Sequence, residues 1–320
     1  MKVFEEAQLR EMVGEDEALS AVETAFKALA EGRVVQPPPL GLDIEEARGE
    51  VHVKGAYLQG EPVFAIKFAS GFYRNPEQGL PVGAGLVLVF DSSTGFPLAL
   101  FKDNAYLTEI RTGGAGALAT QLLAPDRPLS VAVVGAGAQA RYQLRAINRV
   151  RQIRELRAWS PVPEEVTAYV EEMGSTLGVP VSGAGGPREL VEGADLVVTV
   201  TPAREPLLEL DWLAKGATVV AVGSDGPEKR ELAPAILGAP TKVVVDSRAQ
   251  CLSLGETHHA VTAGILAPEE IHAELGEVLI GARSGREGDE LIVCDLTGVG
   301  AQDAAMAGVV WDRLGGGATP

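Results

Sequence analysis

A glycine-rich loop between an apolar run and a helical segment has the most specific chemical signature in the sequence. Residues 131–140 read VAVVGAGAQA, so that Gly135, Gly137 and Ala140 form the pattern GxGxxA. Gly135 permits a tight turn, Gly137 lets the backbone approach a pyrophosphate, and Ala140 lets the helix pack closely on the strand. The N–H groups at the start of a helix attract anions. This context predicts a dinucleotide site that includes Ala138.

The end of the next strand bears on which dinucleotide is bound. NAD enzymes place an acid there for the ribose 2′-hydroxyl, but the run Ile153–Trp159 is followed by Ser160 and Pro161, with no acid before Glu164. A serine hydroxyl can donate to a 2′-phosphate, so the sequence favours NADP(H) over NAD(H) by a small margin. The alternative is that Ser160 only forms the turn before Pro161.

The elements that position this loop alternate between strand and helix. From Ser130 onward, the apolar runs VAVV, LVVTV, TVVAV and KVVVD are typical of parallel strands buried on both faces. Before Leu107 the pattern is different, with one helix at Asp16–Glu31 and a series of strand-like runs at Glu50–Leu58, Val63–Ala69, Leu86–Asp91 and Pro97–Lys102. We expect an α/β protein, a doubly wound parallel Rossmann sheet with a second, α+β domain.

Composition excludes several classes of protein. The 320 residues carry a net charge of −17, which disfavours nucleic acid and anionic membrane surfaces as partners. No apolar run approaches the length of a membrane span, and the N-terminus lacks the apolar core of a signal peptide. Two distant cysteines, Cys251 and Cys294, are typical of free thiols in the cytoplasm. We interpret His258 and His259 as residues of a polar loop and expect no metal site.

Five motifs in order along the chain resemble the ornithine cyclodeaminase/mu-crystallin family. They begin at Lys67 (KFASGFYRNP), Leu107 (LTEIRT), Gly135 (GAGAQA), Val222 (VGSDGPEKREL) and Glu274 (ELGEV). The resemblance covers nearly the whole chain. It implies a homodimer built through residues before about Leu107 and the C-terminal helix. It also implies a substrate-binding and dimerisation domain at 1–114 with 300–320, and an NAD(P)-binding Rossmann domain at 115–299.

The resemblance also implies roles for individual residues. Lys67 and Arg111 match cations that hold a substrate α-carboxylate, Asp225 matches the general acid/base, and Lys229 matches a cation beside substrate and cofactor. We accordingly expect Asp225, Lys67 and Arg111 to be catalytic. Further cofactor contacts are expected at Gln139, Thr201, Val222 and Thr297.

Two departures from the family pattern bear on the substrate. Ornithine cyclodeaminases carry a glutamate that faces the distal ammonium of ornithine thirteen positions before the site lysine, and here that position is Lys54. A cation in this substrate-binding position would repel ornithine. A family serine near the last strand corresponds to Leu296, with Thr297 next to it.

Three functions follow as hypotheses. The first is NAD(P)H-dependent reduction of a small 2-imino or cyclic imino acid, which in reverse is an amino-acid dehydrogenase. The second is a cyclodeaminase that uses NAD catalytically and releases ammonia. The third is a mu-crystallin-like protein that binds NADPH and a ligand without important catalysis. The combination of Lys67, Arg111 and Asp225 favours an enzyme, because a binding protein needs no proton relay.

Overall fold

The structure, a computed structural model, describes residues 1–238 and 240–316. The elements of the N-terminal part are β1 (Lys2–Glu5), α1 (Glu6–Met12), α2 (Glu15–Ala30), β2 (Val34–Val35), β3 (Leu40–Ile44), β4 (Gly49–Leu58), β5 (Val63–Phe72), β6 (Gly83–Asp91), β7 (Pro97–Lys102) and α3 (Tyr106–Leu123).

The rest of the chain alternates more regularly between strand and helix. Its elements are β8 (Leu129–Val134), α4 (Ala138–Val150), β9 (Ile153–Trp159), α5 (Pro163–Leu177), β10 (Val181–Gly183), α6 (Pro187–Val191), β11 (Leu196–Thr199), β12 (Thr218–Ala221), β13 (Lys242–Val245), α7 (Arg248–Cys251), α8 (Gly255–Thr262), β14 (Ala273–Glu274), α9 (Leu275–Leu279), β15 (Ile292–Asp295) and α10 (Gly300–Arg313). No helix within 1–238 and 240–316 is both long enough and apolar enough to cross a bilayer.

The chain divides into two compact units. The first consists of Met1–Arg111 and the residues from Val299 onward, and the second is Thr112–Gly298. The division falls inside α3, so Arg111 is the last residue of the N-terminal part of the first unit.

The first unit is a mixed sheet with helices on one face. Its strand order is β1-β7-β6-β5-β4-β2, with β3 also paired to β4. All pairs are antiparallel except β1 with β7. Helix α10 packs on β4, β5 and α2. Because side chains alternate between the two faces of a strand, every second residue of β4 and β5 points toward α10.

The second unit is a doubly wound parallel sheet, as the sequence predicts. Its strand order is β10-β9-β8-β11-β12-β15-β13-β14, and all of its ladders are parallel. The order reverses between β8 and β11, which is the switch point where ligands bind in such sheets. Strands β8, β11, β12 and β15 are buried along their whole length, which explains their continuous apolar composition.

Several elements differ from the sequence-based expectation. The first strand and first helix, β1 and α1, were not predicted, because a short exposed strand such as Lys2–Glu5 shows no clear alternation of buried positions. Strand β5 extends to Phe72, beyond the expected end at Ala69, and β6 begins at Gly83, before the expected start at Leu86. Helix α3 begins at Tyr106, so Arg111 lies inside the helix.

Candidate functional site

Three cations lie buried in the first unit around one carboxylate. Lys54 on β4, Lys67 on β5 and Arg111 on α3 are each about 95% or more buried, at 5%, 3% and 4% relative exposure. Asp303 of α10 contacts two of them, with 3.2 Å from Lys67 Nζ to Asp303 Oδ2 and 2.9 Å from Arg111 Nε to Asp303 Oδ1. The cluster therefore combines more basic than acidic groups in a buried environment. It is suited to an anionic ligand.

The guanidinium of Arg111 is held through two of its three nitrogens. Its Nε donates to Asp303 and its Nη1 donates to Gln302 Oε1 at 3.0 Å. Its Nη2 has no hydrogen bond to any residue of 1–238 or 240–316. Because guanidinium groups bind carboxylates through two parallel N–H donors, this orientation leaves donors for a carboxylate ligand.

Helix α10 is brought to the cluster by a close contact with β4. A β-carbon built on Gly300 would lie 2.8 Å from the carbonyl oxygen of Gly55 and 3.4 Å from Cβ of Ala56. Only glycine allows the first turn of α10 to approach β4 this closely. Asp303 and Gln302 follow in the same turn and thereby reach Arg111. Neither was identified from the sequence, because they are 192 and 191 residues from it.

The start of α3 places Arg111. Asp103 Oδ2 accepts a hydrogen bond from Leu107 N at 2.9 Å, as expected of a side chain that caps a helix. The connecting residues Asn104 and Ala105 both have positive φ, at 49° and 71°, and the backbone of Ala105 leaves no room for a side chain at Gly85. Non-glycine residues with positive φ are uncommon, so this turn is fixed by its surroundings.

The electrostatics of the cluster act in opposite directions on Lys67 and Asp303. Burial lowers the pKa of Lys67 to about 7; Asp303 opposes this, whereas Arg111 and Lys54 add to the lowering. Burial alone would raise the pKa of the Asp303 carboxyl, but Arg111, Lys67 and Lys54 together keep it below its ordinary value. Asp303 is therefore ionised at neutral pH, while Lys67 is close to its titration midpoint.

In the second unit, the glycine loop has the conformation that its sequence predicts. Gly135 has a φ of +116°, and a β-carbon there would lie 3.0 Å from Val200 Cγ2. Gly137 is the N-cap of α4, and nothing lies within 4 Å of a β-carbon built on it. Ala140 lies in the first turn of α4 and is fully buried. The loop thus presents open backbone at a helix N-terminus at the switch point of the sheet, which fits a dinucleotide pyrophosphate.

Other expected cofactor residues lie around this loop or support it. Gln139 Oε1 accepts from Gln143 Nε2 at 3.2 Å. Thr201 follows β11, and its backbone N–H donates to Glu231 Oε1 at 2.6 Å. Val222, which directly follows β12, is 9% exposed. Thr297 is buried, donates to Asp246 Oδ1 and accepts from Gln250 Nε2, which favours a supporting role over a direct contact.

Glu231 connects two loops at the carboxyl edge of the sheet; it lies within the motif VGSDGPEKREL but was not among the expected site residues. Its two oxygens accept from Thr201 N at 2.6 Å and from Gly223 N at 3.0 Å. Burial raises the pKa of Glu231 to about 7, although the bonds from Thr199, Thr201 and Gly223 lower it in part. Its own backbone N–H donates to the buried Glu256. These bonds hold the loops after β11 and β12 together.

Asp225 and Lys229 are brought together beyond the end of β12. Lys229 Nζ lies 2.7 Å from Asp225 Oδ1, with side-chain exposures of 7% and 36%. The expected general acid/base is therefore partly accessible and paired with a buried ammonium, an arrangement that can tune a proton-transferring carboxyl.

Ser160 is engaged differently from the expectation. Its hydroxyl donates to Glu165 Oε2 at 3.0 Å and accepts from Val162 N at 3.3 Å. Glu165 lies in the first turn of α5. The single hydroxyl proton is therefore directed to a carboxylate.

His258 and His259 lie on α8, so the expectation of a polar loop was wrong. Each ring nitrogen bonds a backbone carbonyl, His258 Nδ1 that of Leu252 at 3.0 Å and His259 Nε2 that of Lys229 at 2.9 Å. The residues preceding them, Gly255 and Glu256, are buried by packing that single-sequence periodicity did not reveal.

Comparison with known proteins gives matches over the full chain. A protein of Sinorhizobium fredii described as an uncharacterized cyclodeaminase is 43% identical over 316 residues, which cover 98% of this chain and 96% of that protein. An archaeal alanine dehydrogenase dimer with bound NAD superimposes with a TM-score of 0.91 at 33% identity, covering 100% of this chain and 98% of that one.

A reductase structure is equally similar. The Δ1-pyrroline-2-carboxylate reductase of Thermococcus litoralis, in complex with NADH and L-proline, has a TM-score of 0.92 at 30% identity and covers 99% of this chain and 98% of its own. The profile of the ornithine cyclodeaminase/mu-crystallin family matches residues 2–318. The motifs quoted above, the fold and these matches agree, and the chain belongs to the ornithine cyclodeaminase/mu-crystallin family.

Proposed function

We propose that this protein is an NAD(P)H-dependent reductase of a small 2-imino or cyclic imino acid, equivalent in reverse to an amino-acid dehydrogenase. The observation that carries the proposal is the buried cation cluster of Lys54, Lys67 and Arg111 around Asp303. The three basic residues outnumber the two buried carboxylates near them, Asp303 and Asp103. A buried excess of positive charge binds a small anion, and a substrate α-carboxylate is such an anion.

Arg111 and Lys67 have distinct tasks in holding the substrate. Arg111 is fixed by Asp303 and Gln302 through Nε and Nη1 and offers its remaining N–H donors, including those of Nη2, to the carboxylate. Lys67 contributes a point charge whose protonation the anion favours, because a nearby negative charge raises the pKa of an ammonium group. Lys54 increases the positive potential and disfavours a substrate with a distal ammonium.

Asp225 moves the proton. An imine nitrogen that is reduced to an amine must gain a proton, and Asp225, paired with Lys229, supplies it directly or through water. The glycine loop of Gly135 and Gly137 holds the pyrophosphate of the cofactor. When bound, the nicotinamide cofactor supplies the reducing equivalents.

The test is oxidation of NADH and NADPH by the purified protein with a panel of imino acids. The panel contains five- and six-membered cyclic imino acids and 2-oxo acids mixed with ammonia. We expect cofactor oxidation with at least one of them and formation of the corresponding amino acid. Absence of turnover across the panel, with cofactor still bound, would support the mu-crystallin-like function instead.

Cyclodeaminase activity is the second candidate, favoured by the 43% identity to a protein described as a cyclodeaminase. Its signature is ammonia release from a diamino acid with NAD present and no net change in NADH. Ornithine is disfavoured as its substrate by Lys54, so shorter and longer diamino acids belong in the same assay.

We also infer that the chain forms a homodimer through the outer face of the first sheet. Leu40, Leu42, Ile66 and Phe68 lie on this face and are 36–56% exposed. Lys67 points toward α10. Its neighbours on β5, Ile66 and Phe68, therefore point to the opposite face of the sheet, away from α10. Exposed apolar patches of this kind mark association sites.

Helix α10, in contrast, packs within its own unit, with Ala301, Met306 and Ala307 buried there. A light-scattering mass close to that of one chain at micromolar concentration would rule out the dimer. We further propose that the protein is cytoplasmic, because Cys251 and Cys294 are both free thiols.

A further inference from the structure

The carboxylate of Glu165 is hydrogen-bonded to Ser160, the residue that directly follows β9. In a doubly wound fold, the end of the strand next to the glycine-loop strand faces the ribose 2′ position. Here that strand is β9, which pairs directly with β8. Gly135 N donates to the carbonyl of Trp159, the last residue of β9, at 2.7 Å. Ser160, the next residue, is thus tied to the glycine loop, and its hydroxyl is bonded to Glu165.

We propose that Glu165, oriented by Ser160, makes this enzyme select NAD(H) and reject NADP(H). This inference rests on the proposed function only in that a dinucleotide binds at the glycine loop. It reverses the NADP(H) preference expected from the sequence.

The direction of the Ser160 hydroxyl proton disfavours a 2′-phosphate. A serine hydroxyl has one proton to donate, and Ser160 gives it to Glu165 Oε2 at 3.0 Å while accepting from Val162 N. In this arrangement the Ser160 hydroxyl has no proton left to donate to a 2′-phosphate. The exposed Glu165 is instead available to accept a hydrogen bond from a ribose 2′-hydroxyl.

The negative charge at the start of α5 also disfavours a 2′-phosphate. Glu165 and its neighbour Glu164 both lie in the first turn of α5, and that turn contains no basic residue. The helix dipole favours negative charge at the N-terminus of a helix, so it stabilises the ionised form of both carboxylates. A 2′-phosphate would add about two negative charges beside them, whereas a 2′-hydroxyl adds none.

The experiment uses the full-length protein and follows cofactor binding itself. NADH and NADPH are titrated by nicotinamide fluorescence with wild type, Glu165→Gln, Ser160→Ala and the control Glu164→Gln. Glu164 is the matched control because it is adjacent, exposed and acidic but has no hydrogen bond to Ser160.

We expect wild type to bind NADH at least about tenfold more tightly than NADPH, a ratio that corresponds to about 1.4 kcal/mol. Glu165→Gln should reduce this ratio by about tenfold, chiefly by tightening NADPH binding, since a like charge is removed. Ser160→Ala should reduce it by roughly threefold, since the carboxylate is less well held. Glu164→Gln should change it by less than about threefold, because Ser160 holds Glu165, and not Glu164, beside the end of β9.

A salt series separates charge repulsion from a steric effect. Between about 50 and 500 mM salt, the ratio should shrink clearly in wild type and much less in Glu165→Gln, because only a charge interaction is screened. A wild type that binds NADPH as tightly as NADH, or a Glu165→Gln ratio equal to that of wild type, overturns the inference and leaves the proposed function intact. Failure to bind either cofactor overturns both.

Discussion

Lys54 and Lys67 stand directly opposite each other on the adjacent antiparallel strands β4 and β5, both buried on the face toward α10. Like charges in directly opposed positions destabilise a sheet, and here their burial increases the effect. The pairing is compensated by Asp303, which lies 3.2 Å from Lys67 Nζ. A pair of this kind is retained where the positive potential itself is useful, in this case for binding an anion.

The pKa of Lys67, about 7, predicts how anion binding depends on pH. The ammonium form is present below that value, so affinity for a simple carboxylate inhibitor such as propionate should fall, by about tenfold, as the pH rises through 7. Lys54→Met removes one cation that lowers the pKa of Lys67 and should shift the midpoint to higher pH. The inhibition constant measured from pH 5.5 to 9 gives both midpoints. Exposed Lys102 supplies the control, Lys102→Met, and an unshifted midpoint in Lys54→Met would contradict the prediction.

Arg111→Lys should weaken substrate binding. Lysine keeps the charge but cannot bond Asp303 and Gln302 while also offering a second pair of donors. We expect KM for the imino acid to rise roughly tenfold or more while the Kd of the cofactor stays within about twofold. Steady-state kinetics and fluorescence titration measure the two quantities. A raised cofactor Kd with an unchanged KM would show that Arg111 acts elsewhere.

Asp225→Asn should affect turnover more than binding. The amide keeps the shape and polarity of the carboxyl but cannot transfer its proton, so kcat should fall by about 10²–10⁴-fold. Lys229 loses its carboxylate partner at 2.7 Å in this variant, and Lys229→Gln therefore serves as the comparison that tests the pair. If kcat of Asp225→Asn stays near the wild-type value, another group supplies the proton.

Gly300→Ala should destabilise the protein although alanine favours helices. Its β-carbon would lie 2.8 Å from the Gly55 carbonyl oxygen, so α10 must move away from β4. We expect a loss of about 1–3 kcal/mol in the free energy of unfolding, as for other overpacked sites. Gly308 in the same helix has nothing within 4 Å of a built β-carbon, and Gly308→Ala should stabilise by up to about 1 kcal/mol. Urea unfolding of the two variants tests the opposite signs.

The raised pKa of the buried Glu231 carboxyl predicts that the free energy of unfolding declines from acid to neutral pH. Its pKa is raised by burial from 4.5 to about 7 in the folded chain, so the folded state binds more protons than the unfolded state in this window. The contribution of Glu231 to the free energy of unfolding should therefore be largest below about pH 4.5. It should fall by roughly 3 kcal/mol as the pH rises through 7.

Glu231→Gln should reduce the slope of unfolding free energy against pH between 5 and 7.5, measured by urea unfolding. A slope remains because burial also raises the pKa of Asp295 to about 7. Lys67 contributes with the opposite sign, since its lowered pKa makes stability rise above pH 7. The exposed Glu228→Gln is the control, and equal slopes in wild type and Glu231→Gln would refute the assignment.

The sequence by itself determined the Rossmann unit, because its signals are local. A strand buried on both faces is recognisable from four consecutive apolar residues, and the glycine loop is defined by spacing within ten residues of chain. The family resemblance likewise identified Lys67, Arg111 and Asp225 as candidates from short motifs.

Tertiary structure decided what surrounds those residues. Asp303 reaches Arg111 across 192 residues through the contact of Gly300 with Gly55, and no local periodicity records such a pairing. The same holds for Lys54 opposite Lys67, since strand register is set by packing of the whole sheet. Ser160 illustrates the difference most directly. A serine at this position can donate a hydrogen bond to a phosphate. In the folded chain, however, the first turn of α5 places Glu165 next to the Ser160 hydroxyl, which donates its single proton to that carboxylate.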